Sequence, residues 1–133
     1  MLDARWSSWR GTAVEPIIRD ALAIAAGSGQ LPWADTWEVG GWWNRQANPE
    51  IDLVGADRAP VASRIAFAGS IKWTDGPFDR RHLDELRRQA PMIPGFEPGA
   101  SGLVVVSRSG ADVPAGSADL IWGPDDIVRA WST

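Results

Sequence analysis

The sequence predicts a mixed α/β fold, one sheet with helices on its faces, from three features of the chain. An apolar run with helical spacing comes first, three strand-like runs separated by short turn-forming segments follow, and a polar helix pattern then stands between two further strand-like runs. Strands joined by short turns pair antiparallel, whereas a helix between two strands is the crossover that a parallel pair needs. The order helix, three-strand meander, crossover helix, strand, strand, helix therefore implies a mixed sheet.

Each element has its own signal. From residue 8 to residue 26 the apolar positions Trp9, Ala13, Ile17, Ile18, Ala21 and Ile24 follow a helical period, and Gly27 marks a stop. Pro16 either starts or kinks that helix. "DTWEVGGWW", "PEIDLVGA" and "SRIAFAGSIKW" are rich in β-branched and aromatic residues and are divided by "NRQANPE" and "DRAP"; the third alternates most cleanly. "PFDRRHLDELRRQA" reads as a helix with Leu83, Leu86 and Ala90 on its apolar stripe, and "GLVVVS" as a strand buried on both faces. A short strand "ADLIW" and a helix "GPDDIVRAW" finish the chain, the latter with acids in its first turn and Arg129 near its end, as the helix dipole favours.

Composition narrows the function. A chain of 133 residues that is 44% hydrophobic fits one domain over 1–133 and leaves no room for a second of ordinary size. Without cysteine, thiolate metal sites and disulfides are excluded, and with one histidine any metal must be held by oxygen. The net charge of −4 weakens a nucleic-acid role, although Arg80, Arg81, Arg87 and Arg88 offer a local basic face. No apolar run is long enough to span a bilayer, and "MLDARWSSWRG" lacks the features of a secretory signal, so no membrane contact and a cytoplasmic location are expected. The tryptophans, Trp42, Trp43 and Trp73 among them, read as core and sheet-covering residues rather than base-stacking platforms.

One lysine, Lys72, stands in a chain that otherwise carries its positive charge on arginine, which points to a place where a compact ammonium is wanted. Residues two apart in a strand share a face at about 6.6–6.8 Å, so Ser70 accompanies Lys72 and Glu50 accompanies Asp52. If the second and third runs pair, Asp52 and Lys72 share a face. Glu15, with Ile18 and Leu22 at i+3 and i+7, lies on an inward stripe from which it can join them. Each residue also has a plainer reading. Lys72 can be a sheet-edge residue, Asp52 a strand-end acid answering Arg45, Glu50 a solvated strand start, and Glu15 the acid of a capping box with Thr12. His82 reads as a surface helix residue.

"VEPIIRDAL" with Glu15, "EVGGWWNRQANPEIDLVGA" with Asp52 and "IAFAGSIKW" with Lys72 occur in an order and on elements that resemble the PD-(D/E)XK nuclease-like superfamily. Within it, the chain is similar to the uncharacterised domain at the C-terminus of prokaryotic DEXX-box ATPases. The resemblance covers roughly residues 9 to 90. It implies a restriction-endonuclease-like fold, Mg²⁺-dependent cleavage of DNA phosphodiesters, and an AAA-type ATPase, attached or separate, as partner. It further implies that Asp52 and a second acid hold the metal, that Lys72 positions water and offsets phosphoryl charge, and that Glu15 is an outer or second-metal ligand.

Where the superfamily has that second acid, this chain has Ser70, and a hydroxyl is a poor substitute for a carboxylate on Mg²⁺. Some restriction endonucleases of the superfamily with Ser-x-Lys draw the missing carboxylate from the following helix. Glu85 follows Lys72 after twelve intervening residues, and Glu50 is the other candidate ligand. Glu85 is turned away from the leucine stripe, on a second stripe with Phe78, His82 and Gln89. The expectation is therefore a weakened metal-dependent nuclease, with a non-catalytic DNA-recognition or ATPase-regulating module as its rival. A Trp-rich docking domain is a third reading, because fold does not decide function.

Overall fold

The computed structural model describes residues 2–33, 36, 38–43, 50–57 and 64–132, with main chain alone for residues 2–13, 43 and 50. The first helix, α1 (Leu2–Gly27), starts earlier than its apolar period suggests and carries Pro16 inside it. Thr12 and Glu15 are therefore mid-helix, where no orphan N–H groups exist for a capping box to satisfy. The helix ends at Gly27, as the sequence marks, and its cap lies just beyond. Gly29, at φ +74°, adopts the left-handed conformation, its N–H donates to the Ala26 carbonyl at 3.2 Å, and the Gln30 N–H donates to the Ala25 carbonyl at 2.9 Å. This is Schellman pairing, and it assigns the cap to Gly29, two residues beyond the glycine the sequence marks.

Strands β1 (Glu38–Trp43), β2 (Glu50–Ala56) and β3 (Ile65–Lys72) form the expected antiparallel meander. A two-residue strand β4 (Phe78–Asp79) leads into α2 (Arg80–Gln89) and a 3₁₀ turn (Ala90–Met92). After them come β5 (Gly102–Ser107), β6 (Ala111–Asp112), β7 (Leu120–Trp122) and α3 (Pro124–Trp131). The main sheet has the order β1-β2-β3-β5-β7, antiparallel to β3 and parallel beyond it, so α2 is the crossover. Strands β4 and β6 make a separate parallel pair that the sequence reading did not anticipate, two residues being too short to show a period. Among the described residues no helix is long and apolar enough to cross a membrane.

Alternation assigns the faces. Leu53, Phe67, Val104 and Val106 pack with Ile18, Ala21, Leu22 and Ala25 of α1 and with Ile127 and Ala130 of α3. Val54 and Ala68 pack with Leu86 and Ala90 on the opposite side, and Val105 packs there with Phe78 and Leu83. Trp33, Trp42, Trp73 and Trp122 pack in or against these clusters, and Trp131 is half exposed. Burying an apolar side chain contributes roughly 1.5–3 kcal/mol, so these two layers hold the sheet between them.

Glycines set the closest approaches. A Cβ on Gly102 would lie 2.0 Å from the Trp33 ring, and one on Gly69 would lie 2.7 Å from the Val104 carbonyl oxygen. The second obstacle is main chain of the neighbouring strand and cannot swing aside. Gly69→Ala is expected to destabilise the fold by about 1–3 kcal/mol in denaturant unfolding, the usual range for overpacking. Gly40→Ala, whose methyl would meet nothing within 4 Å, should stay within about 0.5 kcal/mol of wild type.

Candidate functional site

The paired register between β2 and β3 runs from Ala56↔Ile65 to Leu53↔Gly69 and stops there. Beyond that point β2 remains with β1 as far as Trp43↔Glu50, and β3 remains with β5 as far as Lys72↔Ser107. The sheet thus divides. At the division the Asp52 Oδ2 accepts the Ile71 N–H at 2.9 Å, a side chain taking the place of a main-chain acceptor. A buried N–H left without a partner would cost on the order of 1–3 kcal/mol, so the aspartate closes the ladder while staying at the mouth of the opening.

From the α1 side a second contact fixes the same residue. Arg19 Nε donates to the Asp52 carbonyl at 3.1 Å, and Arg19 Nη2 lies 3.4 Å from Glu15 Oε2. The guanidinium lies over Gly41, where a Cβ would come within 2.9 Å of Nη2. Glu15 is thereby linked to the Asp52 main chain through Arg19, a residue not singled out from sequence even though it stands four positions after Glu15, the spacing of a helix ion pair.

The division opens into a cleft of about 170 Å³ lined by Ile51, Asp52, Gly69 and Ser70 from the strands and by His82, Glu85, Leu86 and Gln89 from α2. Asp52 and Glu85 line one space, and the second helix stripe does face the sheet. Glu85 Oε1 accepts from Gln89 Nε2 at 3.1 Å. The side chain of Glu50 lies outside the described residues, as do Arg45 and the turn that holds it. Among the described residues no cluster of three or more His, Cys, Asp or Glu converges on one point, and the cleft offers two carboxylates, a hydroxyl, an amide and an imidazole.

Lys72 ends a strand in the middle of the sheet rather than at its edge, and by alternation it shares the face of Ala68 and Ser70. Its Nζ lies 3.3 Å from Nε2 of His82. His82 is therefore a site residue and not simply a surface one. What brings it there is the small β4/β6 sheet, which fixes Phe78 and Asp79 at the entry to α2. Asp79 caps the helix, its Oδ1 accepting the N–H groups of Arg81 at 3.1 Å and His82 at 3.2 Å.

A family model matches residues 2–87. The chain belongs to the DUF234 family, described as archaeal and bacterial proteins of unknown function. The DUF234 match spans α1, the meander, β4 and most of α2, and so contains Glu15, Arg19, Asp52, Ser70, Lys72, His82 and Glu85. Strands β5 to β7 and α3, which complete the sheet and the α1 layer, lie outside it. No curated protein and no solved structure matches the chain.

The hydrogen bond from the His82 main chain, aided by the Arg81 guanidinium, holds the Asp79 carboxyl below its ordinary value of 3.8. A depressed folded-state pKa stabilises the fold above the unfolded value, and that contribution is lost as the pH falls through the folded one. Asp79→Ala should therefore lower the melting temperature at neutral pH. The gap to wild type should narrow once the pH drops below 3.8, as followed by circular dichroism across an acid series.

Proposed function

We propose that the cleft is the centre of a weak Mg²⁺-dependent nuclease acting on DNA, of restriction-endonuclease-like type, with Glu85 supplying the carboxylate that Ser70 does not. The observation that carries this reading is the common cleft of Asp52 and Glu85 at the division of the sheet. Hard oxygen ligands suit Mg²⁺, which keeps several of its waters and needs only one or two carboxylates. Asp52 and Glu85 would hold the ion, which when bound would offset the charge of the scissile phosphate. Lys72 orients the attacking water and shares in that charge compensation. Glu15 acts from outside the cleft, keeping Arg19 on the Asp52 carbonyl. The exposed Arg80, Arg81, Arg87 and Arg88 on α2 supply phosphate contacts along the strand to be cut. An AAA-type ATPase as partner rests on the sequence resemblance.

A second reading, a non-catalytic module that recognises DNA or regulates such an ATPase, draws on a different observation. Asp52 already serves the Ile71 N–H and Lys72 is engaged by His82, an arrangement that is also complete without a metal.

Calorimetric Mg²⁺ and Mn²⁺ titration with a plasmid-nicking assay separates the two. Wild type should bind weakly and nick, Ser70→Glu should bind more tightly, and Glu85→Ala should lose nicking by on the order of 10²-fold or more with its fold intact. Neither binding nor nicking in wild type and Ser70→Glu would leave the non-catalytic module.

A further inference from the structure

We propose that His82 is a positioning residue for Lys72, a neutral anchor that holds the ammonium beside the cleft without spending its charge. The use of that charge rests on the nuclease reading above; the anchor itself does not. An ammonium has donors only, so the 3.3 Å approach of Nζ requires Nε2 to be an acceptor. The ring proton of a neutral His82 then sits on Nδ1, and Nδ1 lies 2.8 Å from Asp79 Oδ1. The Asp79 N–H also approaches Nδ1, at 3.1 Å. One nitrogen cannot both accept from that N–H and donate to the carboxylate. With a proton on Nδ1 the ring N–H faces the Asp79 N–H at 3.1 Å, and without one two acceptors face each other at 2.8 Å; the Lys72 ammonium, which can only donate, settles the matter by requiring Nε2 to accept. In that tautomer Lys72 Nζ donates to Nε2, and the Nδ1–H lies beside the Asp79 carboxylate.

The ring is braced as well as bonded. Phe78, fully buried, sits against it with centroids 5.3 Å apart at 36°. The charged groups around the ring are Lys72 from β3, Asp79 from β4, Arg81 and Glu85 from α2, and Asp52 across the cleft. Were Asp52 or Glu85 the partner of Lys72, the pair would neutralise the cation and occupy a carboxylate needed for a metal. A neutral imidazole does neither. It also selects one geometry for a flexible four-carbon stem, which is the part of pre-organisation that a positioning residue supplies.

Because the chain has one lysine and one histidine, the Lys72 side chain gives one nitrogen signal and the His82 ring one pair, all assignable. In ¹⁵N-labelled wild type, at a pH where the ring is neutral, the imidazole should show the Nδ1–H tautomer and the Lys72 ammonium should exchange its protons more slowly than free lysine. His82→Phe keeps a ring against Phe78 but has no acceptor, and should return the ammonium to free-lysine exchange. His82→Gln restores an acceptor near the Nε2 position and should recover the slow signal. An Nε2–H tautomer or free-lysine exchange in wild type would overturn the proposal with no variant needed, as would an unchanged ammonium signal in His82→Phe. None of these readouts needs metal or cleavage, so a held ammonium in a protein that does not nick DNA would count against the nuclease reading alone.

Discussion

The hydrogen bond from the Ile71 N–H to the Asp52 carboxylate is the contact on which the candidate site depends. Where β2 and β3 separate, main-chain groups that would have paired across the sheet need other partners, and a carboxylate is a strong one. By meeting that need Asp52 is held at the point where the sheet opens. A strand acid whose neighbours stayed in register would point at a helix or at solvent; this one borders a cleft because the ladder ends beside it.

The two layers of the fold divide the labour. On the α1 side the packing is apolar and close, and its polar contribution to the site is Arg19, which reaches the Asp52 carbonyl because Gly41 has no side chain in the way. On the other side α2 covers the sheet with Leu83 and Leu86 and turns His82, Glu85 and Gln89 toward the opening. Arg19 and Lys72 occupy positions suited to their chemistry. A planar guanidinium bridges a carboxylate and a carbonyl at once, whereas a compact ammonium is held through one contact and keeps further donors.

Much of this was legible before the coordinates. The meander and the crossover helix follow from turn-separated runs and from a helix standing between two strands, and β3 shows alternation most clearly; in β2 alternation slips, so that Ile51 and Val54 pack in one cluster. The cap at Gly29 was missed because Gly27 also fits a helix end, and only the main-chain hydrogen bonds tell which glycine turns left-handed. Thr12 and Glu15 suggested a capping box because the apolar period starts late, while the helix begins at Leu2. His82 reads as a surface residue because the partner that makes it part of the site, Lys72, lies on a strand ten residues back, while the local Asp79 marks only a helix cap.

The sequence alone determined what periodicity and composition can carry: the α/β class, the order of the elements, the exclusion of thiolate chemistry, and the carboxylates and single lysine as the residues to watch. Tertiary structure alone decided where the sheet divides, that Glu85 and Asp52 border the same cleft, and that Lys72 meets an imidazole. The reason is physical. Alternation and helical period report which side of its own element a residue occupies, whereas a cleft is made where two elements part. That depends on where a ladder of hydrogen bonds stops and which distant side chain satisfies the last of them.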